Sequence, residues 1–297
     1  MTLNLKYSFF AVIIFIFSGC SETGTNSGNE NSTGEPRSDF KLDKAKEILY
    51  LIPSPIEVVS LLKKAGAEYK GEILNPTENV SKYQTTRAKA INLGIYGTDI
   101  NYASLFDQTQ ETLFYVKCAK TLANNLGVMN AFDKETLDRI EGNIENRDSM
   151  VTIMSDTYWE ADTYLKENER ANISALVIAG GWIEGLHIAT RISELKPNNE
   201  KLIKRIAEQK YSLNNLILLI GNYEKDTDID YVLEDLKSIK TVFDSLEMVK
   251  SAIENKVDEK TGVTTIGGSK EIKISPSQLA SISGKIKEIR TKYIEQN

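Results

Sequence analysis

Residues 84–127 read QTTRAKAINLGIYGTDINYASLFDQTQETLFYVKCAKTLANNLG, and this stretch decides the fold class. Ala88, Ile91, Ile95, Tyr102 and Phe106 recur at steps of three, four and seven, which lays an apolar stripe along one face of a helix. A second helix, from about Gln108 to Leu126, comes after a very short break, so the two are expected to be antiparallel neighbours. Gly94 and Gly97 would let another backbone approach the first helix closely. Asp99 falls inside the stripe, four residues after Ile95 and three before Tyr102.

Outward from this pair the chain keeps reading as helix. On the N-terminal side, Asp39 to Leu51 forms a short amphipathic helix ended by Pro53, and Ser54 with Pro55 opens another. Gly66 to Pro76 is loop. On the C-terminal side, Asp133 caps a helix to about Asn146, and Asp148 caps one from Ser149 to about Asn168. Ala171 to Leu195 contains ISALVIAGGWIEGLHIATRISEL, whose apolar run is broken by Glu184, His187 and Arg191, so it is a core helix and not a membrane span. Gly181 and Gly185 suit a tight helix contact there. Glu200 to Asn222 is a second core helix, and Thr227 to about Asn255 a long one. Val263 to Ile274 alternates in two short runs about Gly267-Gly268, the pattern of a β-hairpin. Ser275, Pro276 and Gln278 then start the last helix, to about Glu295. The expectation is one all-α domain over residues 39–297, of about nine helices, bundle-like, with one short β-hairpin near the C-terminus.

The chain has 297 residues, 41% hydrophobic and 26% charged, a balance ordinary for a globular protein. Its net charge of −6 argues against nucleic-acid binding, which needs a basic face to displace counterions. The first nineteen residues read as a signal peptide: Lys6 is positive, and Phe9 to Phe17 is an unbroken apolar run too short to span a bilayer. Next to it, Phe17-Ser18-Gly19-Cys20 resembles the lipobox of bacterial lipoproteins, in which the cysteine is acylated and becomes the mature N-terminus. By that resemblance Cys20 is the lipidation site, and the membrane is a partner through the lipid. Ser21 to Glu35 contains only Ser, Thr, Gly, Asn and Glu, so it cannot bury enough surface to order itself. Residues 20–38 are therefore expected to be a lipidated cysteine plus tether, the fifteen-residue tract spanning on the order of 20 Å.

Three runs carry a wider resemblance: residues 92–128, the AGGWIEGLHIATRI of 179–192 and the TTIGGSKEIKIS of 264–275. They resemble a family of all-helical lipoproteins from Bacteroidota. The resemblance implies an organism class and an envelope location, the outer membrane facing the periplasm or the cell surface, and brings no activity or site residues.

Chemistry-bearing residues are few. His187 is the one histidine, and Glu184-Gly185-Leu186-His187 is a Glu-x-x-His on a helix, the unit that di-iron bundles use twice. A second copy is absent, so the bland reading is a core-edge histidine paired with an acid. No Gly-x-Ser-x-Gly elbow and no phosphate loop occurs. With Cys20 committed to lipid, Cys118 stands alone in an apolar pattern and reads as a small buried hydrophobe. Asp99 must be paired, hydrogen-bonded or protonated if buried. Asp99, Tyr102, Trp182, Glu184 and His187 are thus the candidate ligand pocket, with packing as the competing role. No cofactor and no catalytic residue is assigned. The expected function is a membrane-anchored, non-catalytic binding or scaffolding lipoprotein with an envelope protein as candidate partner. A metal-dependent or carboxylate-based enzyme and a small-molecule capture protein are the alternatives.

Overall fold

The computed structural model describes residues 63, 68–128, 134–144, 146–223, 226–250, 254–257, 264–267 and 270–296. Of the leader, Cys20, the tether and the two helices expected between 39 and about 65, all but Lys63 lie outside the described residues. Within them the fold is all-α: α1 (Thr86–Leu105), α2 (Thr109–Asn125), α3 (Lys134–Gly142), α4 (Arg147–Glu167), α5 (Ala171–Leu195), α6 (Glu200–Gly221), α7 (Thr227–Asp244) and α8 (Pro276–Ile294). Two short 3-10 turns precede α1, Gly71–Ile73 within the segment expected to be loop and Thr77–Ser81 just after it.

The centre of the molecule is α1 packed on α5, with α2, α4 and α8 also against α1, and α4, α6, α7 and α8 against α5. A helix surrounded this way is buried over most of its circumference. On α1, Ala90, Leu93, Tyr96 and Ile100 are as buried as Ala88, Ile91, Ile95 and Tyr102. The one-sided stripe read from residues 84–106 therefore understates its burial: Ala90, Leu93, Tyr96 and Ile100 lie off that stripe, and the polar Asn92 and Thr98 are buried in the same core. Helix α5 is long and apolar enough to cross a membrane, yet 89% of its most apolar window is buried inside the protein, as a core helix should be.

The α1–α5 contact is made by glycine. A Cβ on Gly94 would lie 2.0 Å from the Val177 carbonyl oxygen, and one on Gly180 would lie 2.0 Å from that of Ile91. Thr98 Oγ1 donates across the contact to the Gly181 carbonyl at 3.1 Å. Gly97, in contrast, has nothing within 4 Å of its Cβ position, so the close approach falls to Gly94 and Gly180 and not to the Gly94–Gly97 pair.

Three boundaries differ from expectation. Helix α3 stops at Gly142 and not at about Asn146. Asn146, not Asp148, caps α4: its side chain accepts from the Ser149 N–H at 3.1 Å, and Asp148 already lies in the first turn. Helix α7 stops at Asp244, about eleven residues short of Asn255. Beyond it come β1 (Glu247–Lys250) and β2 (Glu254–Val257), which pair antiparallel with β4 (Lys270–Lys273) and β3 (Thr264–Gly267). The hairpin expected near the C-terminus is present, but its turn is not at Gly267-Gly268. Both alternating runs of 263–274 lie on one arm, and the other arm is the segment read as the end of a helix. Glu-Met-Val-Lys fits either period over so short a window, and pairing gives Ile272 a buried place.

Helix α8 begins as its sequence requires. The Ser275 hydroxyl accepts from the Gln278 N–H, and the Gln278 side chain accepts from the Ser275 N–H at 2.9 Å, a reciprocal cap. Gln278 Nε2 also donates to the Ser245 carbonyl at 2.8 Å, tying α8 to the end of α7. Ser275→Ala is expected to lower stability by about 1 kcal/mol in a denaturant titration.

Candidate functional site

The close α1–α5 contact brings Glu184, one turn beyond Gly180, against the face of α1 that carries Asp99. Both carboxyls are fully buried. From α8, Arg290 reaches the same point: its Nε donates to Glu184 Oε2 at 2.9 Å and its Nη2 to Oε1 at 3.0 Å, a two-pronged pair. The same Nη2 donates to the Ile73 carbonyl at 3.3 Å. Asp99 Oδ2 accepts from the Asn75 backbone N–H at 3.3 Å, while Oδ1 meets no donor group among the described residues. The Glu184 carboxyl lies within hydrogen-bonding reach of Asp99. One centre thus joins the segment before α1, the central helix pair and the last helix.

Asn75 extends it. Its Nδ2 donates to the Tyr83 hydroxyl at 3.0 Å and to Asn92 Oδ1 at 3.3 Å, and its Oδ1 accepts from Asn79. Asn92 Nδ2 donates to the Tyr293 carbonyl at 3.0 Å, and the Tyr83 hydroxyl to that of Ile294 at 3.4 Å. These bonds fasten the C-terminal turn of α8 to α1.

Burial and the negative charge of Glu184 hold the Asp99 carboxyl well above the ordinary carboxylate range, against the opposing pull of Arg290 and the Asn75 N–H. Burial lowers His187, with Arg290 acting in the same direction and Glu184 against it, and His187 Nδ1 has no partner among the described residues. Burial alone would lower the Arg290 guanidinium, but Glu184 and then Asp99 turn the net shift upward. The Cys118 thiol is buried, pushed up to about 11 chiefly by that burial, and directed at the Thr77 carbonyl, which is the behaviour of a small packed residue and not of a nucleophile.

Of the five candidate pocket residues, Asp99, Glu184 and His187 come together. Tyr102 is fully buried elsewhere on α1: its hydroxyl accepts from the Lys70 N–H at 3.1 Å, and its ring stacks on Tyr69 with centroids 5.3 Å apart. Trp182 is buried in the core, and its indole N–H has no partner among the described residues. Sequence reading missed Arg290 and Asn75. The signal for Arg290 was there, since it stands between Ile286, Ile289 and Tyr293 in the apolar periodicity of α8 as Asp99 does in α1. Asn75, in a Pro-flanked loop, carried none.

Among the described residues, no three His, Cys, Asp or Glu side chains are grouped to hold a metal ion. Chemically, the centre can hold a proton between two carboxyls and neutralise an ionised acid with a guanidinium, away from solvent. No protein-family model matches the chain, and no curated protein and no solved structure matches it.

Proposed function

We propose that this chain is a lipid-anchored, non-catalytic binding or scaffolding protein of a bacterial cell envelope, held at the outer membrane on its periplasmic side. The observation that carries the reading is the order of its first thirty-five residues: a charged start, a nine-residue apolar run, Ser18-Gly19-Cys20 and fifteen residues without an apolar side chain. Acyl chains on Cys20 would stabilise attachment by about 0.8 kcal/mol per buried methylene, and two or more make a durable anchor. The buried ionic groups support the non-catalytic half of the reading. Glu184 and Arg290 direct their strongest bonds to each other and to the chain, and both carboxyls are closed to a substrate.

Cys20→Ala is expected to move the protein from the membrane fraction to the soluble fraction of fractionated cells, and mass spectrometry of the wild-type N-terminus should find an acylated Cys20. A bare or absent cysteine would overturn the anchor. For the body, a tagged chain recovered from detergent-solubilised envelopes should retain an envelope protein reproducibly, and recovery with no retained partner counts against scaffolding. Stoichiometric metal in protein purified without chelator, lost on His187→Ala, would favour the enzyme reading instead.

A further inference from the structure

The centre built from Asp99, Glu184 and Arg290 contains two acids and one base, and its hydrogen bonds distinguish the acids. Glu184 accepts on both oxygens from Arg290, the arrangement of an ionised carboxylate. Asp99 accepts one weak bond, from the Asn75 N–H, and its Oδ1 is fully enclosed without a donor among the described residues while an ionised carboxylate stands beside it. Such an oxygen is satisfied if it carries a hydrogen of its own.

The charge count agrees. The other titratable groups facing Asp99 are Tyr83 from the turn before α1, Tyr96 on α1 itself, and Tyr115 and Cys118 on α2. Burial raises all four, so they are neutral. His187 on α5, beside Glu184 and Arg290, is lowered by burial and is neutral as well. Two ionised carboxyls would therefore leave one uncompensated negative charge where solvent does not reach, far costlier than binding one proton.

We propose that Asp99 keeps its proton at neutral pH and donates it from Oδ1 to Glu184, so that the body is held at its centre by a carboxyl–carboxylate pair and weakens as the medium turns alkaline. The sign comes from linkage. In the unfolded chain Asp99 loses its proton at about pH 3.9, whereas the folded chain keeps it, so above that value folding takes up one proton. The contribution is fully present below the unfolded value and is lost as pH rises through the folded one.

The test compares the full chain, in detergent, with its Asp99→Asn variant, whose amide can donate to Glu184 and accept from Asn75 without ionising. Denaturant titrations at several pH values from about 5 to 9 give the two folding constants. The ratio of variant to wild type should grow with pH by up to about tenfold per unit, the slope of one proton. Working with the ratio cancels the titration of every group that does not interact with Asp99. A ratio that is flat or falls with pH overturns the proposal. Should the variant fail to fold, carboxyl carbon resonances of wild-type protein labelled at Asp and Glu decide. One aspartate at the protonated shift at pH 7 supports it, and none there, or a glutamate in its place, refutes it.

Discussion

Arg290→Met is expected to lower the stability of the folded body by about 3–5 kcal/mol, more than truncating any other side chain of the buried centre. The loss comes less from the forfeited attraction than from what remains. Glu184, fully buried, would lose both N–H donors that now meet it, and the Ile73 carbonyl would lose one as well. Arg290→Lys should fall between, since an ammonium restores charge but cannot supply the two-pronged geometry. Removing the acid as well, in Glu184→Leu with Arg290→Met, should recover part of the loss, because no buried charge is then left without its counter-charge, although the Ile73 carbonyl and Asp99 each still lose a partner. Denaturant midpoints across that series measure it, and a loss below about 1 kcal/mol for Arg290→Met would place the pair in contact with water.

Gly180→Ala should be almost as damaging, for a purely steric reason. The new methyl would lie 2.0 Å from the Ile91 carbonyl oxygen and 2.8 Å from its carbon, and both belong to backbone that cannot swing away. Helices α1 and α5 would have to separate along their contact. Overpacking of this kind costs about 1–3 kcal/mol, and a backbone clash puts this case at or above the upper end. Gly284→Ala on α8 is the matching control, since nothing lies within 4 Å of its Cβ position. There the alanine should stabilise by up to about 1 kcal/mol through helix propensity alone. If both variants shift the denaturation midpoint upward, the close α1–α5 contact is not present in solution.

Much of the helical architecture was legible in the order of residues. The extents of α2, α5, α6 and α8 follow from apolar spacing and from local chemistry, with Ser275 and Gln278 closing the first turn of α8; the structure adds caps of the same local kind at Thr85, which accepts from the Ala88 N–H, and Asn199, which accepts from that of Leu202. Such signals act over three or four residues, which is why they survive without knowledge of the fold. The end of α7 did not, because Glu247 to Lys250 satisfies either period and its choice is made by Lys270 to Lys273, some twenty residues away.

The candidate site divides the same way. Sequence alone marked Asp99, Glu184 and His187 as polar residues set in apolar helices, and it marked the lipobox, tether and acidic balance from which location is argued. Only the tertiary structure decided that Asp99 meets Glu184, that Glu184 is neutralised by Arg290 from the far end of the chain, and that Gly180 rather than Gly97 lets the helices close. Spacing along a helix states which side chains share a face. It does not say which faces meet, because that is set by the sum of burial over the whole core, where a single glycine or guanidinium can tip the outcome.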